Sequence, residues 1–513
     1  MTADIHTRSP VSFDVSGSFR EFVLCVIDGT DIDRVGRSTG GAVDLRAEPL
    51  DGRTGDPARI LDSTVHGDPA TPLLEAYVGD PIVIRTLASA TNDIHTLHID
   101  GHGFRLEPWS RASPFVDTAL VGVSERFDLV IPAAGGPARR AGDYLYRNGR
   151  PSKFREGSWG ILRVLDRARA PTALMPLPDV PVTTAASGDV CPLDAPLRTF
   201  DVHAVSVPLP MLKGAAGLTY VLARDVAAVT SGQAKPRPLV LHIAVGDCLE
   251  VRLSNDTDAG DVSFHADGLL VADPLSDAGI DVGVNPPQTT APGATRTYRL
   301  YADPTFGQST VLITDAGDPL EHPALGLYGA VIVGPPGATV VDARTHADAS
   351  AASSAAVIVR DGASTYRDFT LFFQDSDQSI GTHRMPYTVK VAGVTAIDYH
   401  VATGDPAPGV ADPDTPLLEA VAGDRLRIHV LAPVSEQAQV FSIEGHAWQI
   451  EPDVPGSRWT DSQSIGGLEV LTIDTVAGGD ELVPGDYIYG DHRMPYREAG
   501  LWGILRVTER PAP

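Results

Sequence analysis

Positive charge is scarce in this 513-residue chain, and lysine occurs only at positions 153, 213, 235 and 390. The 40 Lys and Arg residues are outnumbered by 66 Asp and Glu residues, so the formal net charge at pH 7 is −26. Such an excess of carboxylates repels the phosphates of nucleic acids and of anionic membranes. We therefore expect no nucleic-acid or membrane partner, and a small molecule as the substrate.

Long apolar runs are also missing. No stretch approaches the roughly 18 uninterrupted apolar residues that a membrane-spanning helix needs. Residues Met1 to Phe19 lack the positive start and the apolar run of a signal peptide. These two absences predict a soluble protein in the cytoplasm.

Cysteine is rare, and its three copies, Cys25, Cys191 and Cys248, are scattered along the chain. They are odd in number and form no CxxC pair, the spacing typical of redox and zinc sites. The sequence therefore predicts no disulfide framework.

A long helical period of apolar residues is absent too, whereas glycine (50) and proline (42) are plentiful. This combination favours short strands joined by turns. A chain of this length exceeds one compact core and predicts three domains of about 150–170 residues.

An internal repeat divides the chain. The segment Asp-Pro-Ala-Thr-Pro-Leu-Leu-Glu-Ala-Tyr-Val-Gly-Asp at 68–80 recurs with few changes at 412–424. The segment Trp-Gly-Ile-Leu-Arg-Val occurs at both 159–164 and 502–507. The middle third is a more distant copy, with its own Gly-Asp turn at 246–247. A repeat on this scale indicates duplicated structural units.

Three all-β Greek-key sandwiches follow from the alternating Val, Ile and Leu residues of these units. We expect domain boundaries at 1–168, 169–342, with a Pro-rich linker at its start, and 343–513. Three similar modules in one chain predict a pseudo-threefold ring with sites at the module interfaces.

Histidines cluster in one β-type run, Ile94 to His102, which contains three imidazoles and the carboxylate of Asp100. Alternate positions of a strand share a face, so polar side chains two residues apart point together. Weaker copies of the run occur at Phe264 to Gly268 and at Phe441 to His446.

Together these motifs resemble the multicopper oxidases, a family built from cupredoxin domains, over nearly the whole chain. The outer thirds are similar to the family's copper-bearing last domain, and the middle third is similar to its first domain. The resemblance implies three cupredoxin-like sandwiches. It also implies an oxidoreductase descent, because the family oxidises phenols, amines or metal ions at a blue (type 1) copper and reduces dioxygen at a three-copper cluster.

Most copper ligands of that family are replaced here. At the positions of the blue-copper Cys, second His and Met, the first unit has Asn148, Lys153 and Ser158. In the third unit, Gly490-Asp491-His492 stands in place of His-Cys-His, and Gln439 replaces a His. A blue copper needs a Cys thiolate. The resemblance therefore predicts no type 1 copper.

Two imidazoles and two carboxylates remain where the family's geometry brings the first and second units together. His98 and Asp100 would face His265 and Asp267 there. This set fits one mononuclear transition metal, Cu, Fe, Mn or Zn. The alternative is an interface of His–Asp hydrogen bonds without metal.

The vacated blue-copper position of the first unit is a second candidate site. His95 would stand there beside Asn148 and Lys153, in either a small polar pocket or a filled-in core. A lysine in a desolvated pocket can act as a base or nucleophile, and His492 occupies a family ligand position in the third unit. His95, Lys153 and His492 are therefore the candidate catalytic residues.

Three functions remain open at this point. The first is a multicopper-oxidase-like enzyme, working inside the cell on a small aromatic, phenolic or amine molecule in specialised metabolism, with a reduced His/Asp metal site. The second is a metal-free enzyme that uses the vacated pocket for acid–base chemistry. The third is a non-catalytic pseudo-oxidase that binds a partner or acts as a scaffold. Of these we expect an enzyme.

Overall fold

The computed structural model describes residues 18–510, except for 33–37, 45, 89–93, 167–173, 182, 267, 344, 346, 353–356, 361–364, 378–390, 392, 405–410 and 452–453. Within the described residues strands predominate, and the four α-helices have only four or five residues each. None of these helices is long and apolar enough to cross a membrane.

The first third of the chain forms one sandwich. Its strands are β1 (Arg20–Ile32), β2 (Ser38–Val43), β3 (Leu73–Tyr77), β4 (Ile82–Ala88), β5 (His95–Ile99), β6 (Phe104–Arg105), β7 (Phe115–Val116), β8 (Thr118–Val121), β9 (Arg126–Ile131), β10 (Gly142–Asn148) and β11 (Trp159–Leu165). Its helices are α1 (Ser63–His66), α2 (Pro151–Arg155) and the 3₁₀ helices Leu50–Gly52 and Pro57–Arg59.

Two sheets of this sandwich pack face to face. Their strand orders are β2-β1-β4-β9 and β3-β11-β10-β5-β8. Each sheet has one parallel pair, β1 with β4 and β3 with β11, among antiparallel neighbours. Inward-facing residues of both sheets, such as Leu24 and Ile84 from one and Ile99 and Leu162 from the other, form a single core.

The middle and last thirds follow the same plan. The strands up to residue 352 are β12 (Leu197–Pro208), β13 (Ala216–Leu222), β14 (Leu239–Ala244), β15 (Cys248–Asn255), β16 (His265–Ala266), β17 (Thr295–Tyr301), β18 (Ser309–Thr314), β19 (Tyr328–Gly334), β20 (Thr339–Asp342) and β21 (Ala351–Ala352). They are accompanied by helix α3 (Val226–Thr230) and the 3₁₀ helix Pro210–Leu212.

The remaining strands complete the chain. They are β22 (Val357–Arg360), β23 (Thr365–Asp375), β24 (Thr395–Ile397), β25 (Leu417–Val421), β26 (Arg425–Ser435), β27 (Gln439–Ile443), β28 (Trp448–Gln449), β29 (Trp459–Thr460), β30 (Ser462–Ile465), β31 (Val470–Val476), β32 (Gly485–Asp491) and β33 (Trp502–Thr508). Helix α4 (Met494–Glu498) precedes the last strand.

The strand orders show that the sandwiches are copies of one another. The second has sheets β13-β12-β15-β17 and β16-β18-β19-β14-β21, and the third has β20-β22-β23-β26-β31 and β25-β33-β32-β27-β30. In both, each sheet again has one parallel pair at the equivalent place: β12 with β15, β14 with β19, β23 with β26 and β25 with β33. The predicted all-β fold of packed, repeated sandwiches is confirmed.

A Gly-Asp turn occurs at the same place in every sandwich. The glycines have a positive φ, which a side chain would strain, at +85° for Gly79, +89° for Gly246 and +85° for Gly423. Each following aspartate accepts a backbone N–H three residues earlier and binds an arginine of the adjacent strand. The ion pairs are Asp80–Arg20 at 2.8 Å, Asp247–Arg198 at 2.9 Å and Asp424–Arg367 at 2.7 Å.

The chain crosses between sandwiches near the second predicted boundary. Strand β20 pairs with β22 of the third sandwich, whereas β21, further along the chain, pairs with β14 of the second. The boundaries at 168/169 and 342/343 stay predictions.

Each sandwich contacts both others. Leu145 of the first packs in one cluster with Val282 of the second, and Val240 of the second packs in another with Leu431 of the third. The first and third meet where the Thr96 hydroxyl donates to the carbonyl of Gly467 at 2.9 Å. These mutual contacts close a ring of three and create a junction at its centre.

A disulfide joins Cys191 to Cys248, with Cα atoms 5.6 Å apart. The cysteine pattern predicted no disulfide framework, and this single bridge was missed. The two cysteines are 57 residues apart, and only the folding of the linker against β15 brings them together. Disulfides are typical of oxidising compartments, so this bridge opposes the predicted cytoplasmic location, which stays a prediction.

Candidate active site

Three of the four predicted metal-site residues come together between the first and second sandwiches. His98 lies on β5, Asp100 follows that strand, and His265 lies on β16. His98 Nε2 is 2.8 Å from one carboxylate oxygen of Asp100, and His265 Nε2 is 3.5 Å from the other. The fourth residue, Asp267, lies outside the described residues.

The remaining ring nitrogens of both histidines also contact protein atoms. His98 Nδ1 is 2.8 Å from the hydroxyl of Thr118, and His265 Nδ1–H donates to the carbonyl of Ala278 at 2.6 Å. Burial alone would raise the pKa of Asp100, but the contacts with His265 and His98 outweigh burial and lower that pKa to about 2. Asp100 is therefore ionised between two imidazoles at neutral pH.

The described residues of this cluster contact one another and other protein atoms. A ligating imidazole must turn an unprotonated nitrogen to the metal, whereas both nitrogens of His98 are within hydrogen-bond distance of protein oxygens. Among the described residues, no group of three or more His, Cys, Asp or Glu side chains is placed to hold a metal ion. One His–Asp hydrogen bond is present, between His98 and Asp100; the metal site, which includes Asp267, and its metal-free alternative both stay predictions.

Protein atoms fill the vacated blue-copper position of the first sandwich. His95 Nδ1 accepts a hydrogen bond from the side-chain amide of Asn148 at 2.7 Å, and the Lys153 ammonium is 3.2 Å from Glu156. His95 and Lys153 are 1% and 3% exposed, and the space beside Asn148 and Ser158 admits no water-sized molecule. The set has no thiolate and so does not fit a blue copper.

The third candidate catalytic residue, His492, is exposed and follows β32. Its backbone N–H donates to the carbonyl of Val440 at 2.7 Å. Two cavities, of about 310 and 240 Å³, are lined by residues other than His95, Lys153 and His492. The catalytic role of these three residues stays a prediction.

A cavity of about 240 Å³ lies where all three sandwiches meet, and we call it the junction chamber. Its wall includes Thr118 from the first sandwich, Thr310 from the second and His429 from the third. Cavities at domain interfaces with a few convergent polar groups are the usual location of small-molecule sites. The chamber is therefore the best candidate for an active site.

A carboxylate, an imidazole and a hydroxyl form a line that ends in the chamber wall, where the imidazole and the hydroxyl lie. Asp368 accepts a hydrogen bond from His429 Nε2 at 3.1 Å, and His429 Nδ1 is 2.5 Å from the Thr310 hydroxyl. Because the carboxylate holds the proton of Nε2, Nδ1 is left to accept the hydroxyl proton. This is the geometry of an activated hydroxyl with its base and the group that orients the base.

The first sandwich repeats this line with other residues. Asp100, His98 and Thr118 are joined by contacts of 2.8 Å each, and the Thr118 hydroxyl is also 3.0 Å from Asp117. Both Thr118 and Asp117 line the junction chamber. The predicted histidine cluster is thus connected to the chamber through Thr118.

Carboxylates outnumber cations in the chamber wall. Asp117, Glu451 and Glu469 line it, whereas Arg427 is held by Asp474 through two hydrogen bonds of 2.8 Å each. Burial raises the pKa of Glu469 to about 7 in spite of two backbone N–H donors. A positively charged guest would relieve this excess of negative charge.

A second cavity, of about 310 Å³, lies beside the chamber. The two share Gln308, Tyr366, Arg427 and Asp474, and the exposed Trp459 lines only the second. The guanidinium of Arg427 lies 5.0 Å from the ring centre of Tyr366. These shared residues separate an outer cavity from the junction chamber.

Asp368, His429 and Thr310 were not predicted as site residues. His429 ends the alternating run Arg425-Leu-Arg-Ile-His429, in which Arg427 and His429 share one face. A polar face on a strand of a core sheet is the signal that could have identified them.

Known proteins that are similar to this chain were found among solved structures. The chain matches no protein-family model and no curated protein. Three of the solved structures to which it is similar are copper proteins. Two of the three carry the name of the family that the motifs resemble.

A multicopper oxidase is 19% identical, with a TM-score of 0.41, over 62% of this chain and 92% of its own. The copper nitrite reductase from Nitrosomonas europaea is 19% identical, with a TM-score of 0.41, over 61% and 94%. The multicopper oxidase mgLAC is 14% identical, with a TM-score of 0.39, over 62% and 87%. We draw no conclusion about function from likeness at this level.

Proposed function

We propose that this protein is an enzyme that transfers protons on a small, amine-bearing organic molecule bound in the junction chamber, without a blue copper. The observation that carries the proposal is the convergence of two carboxylate–imidazole–hydroxyl lines on one cavity. The motifs that resemble multicopper oxidases, with their copper ligands replaced, support a ligand-depleted descendant of that family in specialised metabolism.

The chemistry starts at Thr310. Its oxygen takes a proton from the guest while its own hydroxyl proton passes to His429 Nδ1. The resulting imidazolium keeps its Nε2–H on Asp368, whose negative charge offsets the new positive charge. General acid–base catalysis of this kind contributes roughly 10²–10⁴-fold to a rate.

The second line, Asp100–His98–Thr118, gives a proton to the guest instead of taking one from it. When His98 carries both ring protons, Thr118 gives a proton to another position of the guest and receives one from His98 Nδ1. Asp100 stabilises the charged form of His98 beforehand. The two histidines then exchange their protons with solvent, and the net change in the guest is an isomerisation that needs no electron acceptor.

We propose an amine as the guest because carboxylates outnumber cations in the wall of the chamber. Asp117 and Glu451 line the chamber beside Glu469, whose raised pKa of about 7 leaves it partly charged, and the only described arginine of the wall is already paired with Asp474. An ammonium group in this place gains attraction, whereas a carboxylate is repelled. That the partner is a small molecule is itself part of this proposal.

Solvent deuterium exchange tests this function without knowledge of the natural substrate. Phenacylamine, which has an ammonium group and an acidic C–H beside its ketone, is incubated with the protein in D₂O, and carbon-bound deuterium is read by mass spectrometry. We expect exchange above the buffer rate. His429→Gln and Thr310→Val should each slow it by about 10²-fold, because each removes one member of the base.

A matched control is His203→Gln, which breaks a His–Asp pair of 2.6 Å on the surface of the second sandwich and should leave exchange unchanged. Acetophenone, which lacks the ammonium group, should exchange more slowly than phenacylamine. Equal exchange in wild type and in both chamber variants would contradict the proposal. Binding of the amine without exchange would favour the alternative of a non-catalytic binding protein.

A further inference from the structure

Buried polar groups cluster at one end of the third sandwich. They are far in sequence from the chamber residues of the first sandwich. Asp375 ends β23 and is 0% exposed, and Asp491 ends β32 and is 1% exposed. Gln439 begins β27, and Tyr496 lies on α4; both are buried. The sequence motifs align Gln439, Asp491 and Tyr496 with blue-copper ligands of the multicopper oxidases.

Asp375 is surrounded by donors. It accepts hydrogen bonds from the Ser435 hydroxyl at 2.9 Å, the Gln439 side-chain amide at 2.8 Å, and the backbone N–H groups of Asp377 and Gln437 at 2.9 and 3.1 Å. Burial raises the pKa of Asp375 to about 6, against the effect of these donors.

Asp491 and Gln439 each keep one oxygen without a donor. The backbone N–H groups of Val440 and Arg493 bind Asp491 Oδ1 at 3.2 and 2.8 Å. By contrast, Asp491 Oδ2 and Gln439 Oε1 are buried and have no hydrogen-bond partner among the described residues. A buried polar atom left in this way costs free energy that some ligand can recover.

The side chains of Gln439 and Asp491 lie on the same face of the sheet. Phe441, a core residue, lies opposite Asp491 across β27 and β32, so their side chains share one face of the sheet. Gln439 lies two residues before Phe441 on the same strand and therefore on that face too. Its amide nitrogen reaches Asp375 on the opposing sheet, which places the amide oxygen between the sheets.

The duplicated first sandwich has different residues at the equivalent positions. At the equivalent positions it has His95, Asn148 and Lys153, and the Lys153 ammonium is a buried cation. In the third sandwich Tyr496 replaces that lysine. No described side chain forms an ion pair with Asp375 or Asp491.

Arg493 does not supply the missing cation directly. Its charge lowers the pKa of Asp491, but burial dominates and raises that pKa to about 7. The guanidinium is directed to the carbonyl of Ala438 at 2.7 Å and to the ring of Tyr496. The pair of open oxygens therefore has neither a donor nor a cation from the described chain.

We propose that this end of the third sandwich binds a hard divalent cation, Ca²⁺, Mg²⁺ or Mn²⁺, with Asp491 Oδ2 and Gln439 Oε1 as ligands. Carboxylate and amide oxygens suit these ions, whereas a blue copper needs a thiolate. Asp375 holds Gln439 by its amide nitrogen and thereby orients the amide oxygen. Water completes the coordination, as is usual for these ions.

Manganese titration of the full chain tests the site. Protein stripped with EDTA is titrated with MnCl₂, bound Mn²⁺ is read by electron paramagnetic resonance, and thermal unfolding is followed with Mn²⁺, Ca²⁺ or Mg²⁺. We expect a dissociation constant on the order of 10⁻⁴ M and a higher unfolding temperature with cation. Asp491→Asn should weaken binding by about tenfold or more. In cation-free buffer the same variant should unfold at a higher temperature than wild type, because it removes a buried charge.

Glu444→Gln is the matched control. Glu444 belongs to the same sandwich but is half exposed and pairs with Arg497 at 2.8 Å, so this variant should bind Mn²⁺ like wild type. Gln439→Met, which keeps the volume but removes the oxygen, should also weaken binding and serves if Asp491→Asn does not fold. Absence of Mn²⁺ binding and of stabilisation in wild type would overturn the proposal. Equal binding by wild type, Asp491→Asn and Gln439→Met would show an adventitious ion only and would overturn it as well.

Discussion

Replacing Asp368 by alanine is expected to lower the free energy of unfolding by about 3 kcal/mol at pH 7, as is typical when one partner of a buried charged pair is removed. Asp368 is 2% exposed, accepts from His429 Nε2 at 3.1 Å and lies 3.4 Å from His242 Nε2. These three residues belong to strands β23, β26 and β14, so the carboxylate joins the second sandwich to the third. Without it, two buried imidazoles lose their acceptor.

The same carboxylate makes wild-type stability fall in acid. Burial alone would raise the pKa of Asp368, but His429 and His242 hold it well below its usual range. A carboxyl group with a depressed pKa contributes stability that is present above its unfolded pKa, near about 4, and is lost as the pH falls towards its folded pKa. Asp100, with a pKa of about 2, acts in the same direction. Wild type should therefore lose stability below about pH 4, and Asp368→Ala should lose less of it.

Urea unfolding followed by circular dichroism, at pH 7 and at several acidic values, measures both effects. Asp486→Ala is the matched control, because Asp486 is 48% exposed and pairs with Arg506 on the surface. Its loss should be below about 1 kcal/mol, as for other surface ion pairs. If Asp368→Ala were as stable as Asp486→Ala, the buried contacts would not carry the stability assigned to them.

Features with local causes could be predicted from the sequence. The Gly-Asp turns are an example, since a positive φ at Gly79 or Gly423 and the aspartate that follows need only neighbouring residues. The same holds for the alternating strands on either side. Because these signals recur in three units, the repeated all-β sandwiches could be inferred before any tertiary contact was known.

Features that depend on contacts between sandwiches could not be predicted in this way. Strand β21 pairs with β14 because an edge of the second sandwich is available to it, and no local pattern specifies that choice. Thr310 and His429 are 119 residues apart and belong to different sandwiches. The position of His98 and Asp100 beside His265 was predicted only because a family resemblance supplied the arrangement of the units.

Loss of the bridge between Cys191 and Cys248 is expected to lower the free energy of unfolding by roughly 4 kcal/mol, the chain-entropy value for a loop of this length. The two residues are 57 apart in sequence, and the bridge ties the largely exposed segment before β12 to the start of β15. Once the bridge is opened, that segment has many more conformations to lose on folding. The Cys191→Ser, Cys248→Ser double variant should therefore unfold at a clearly lower temperature and should be cleaved by proteases within 174–196 first.

Thermal unfolding with and without dithiothreitol, together with the mass of the intact non-reduced protein, measures this effect. Cys25→Ser is the control, since Cys25 is not part of the bridge, and it should leave the response to dithiothreitol unchanged. A wild-type protein that is equally stable in dithiothreitol would contradict the presence of the Cys191–Cys248 bridge.

The redox state of this bridge also tests the predicted location, because structural disulfides persist in oxidising compartments and are rare in the cytosol. A bridge that is intact in protein trapped directly from cells would therefore contradict the predicted cytoplasmic location, and a reduced pair would support it.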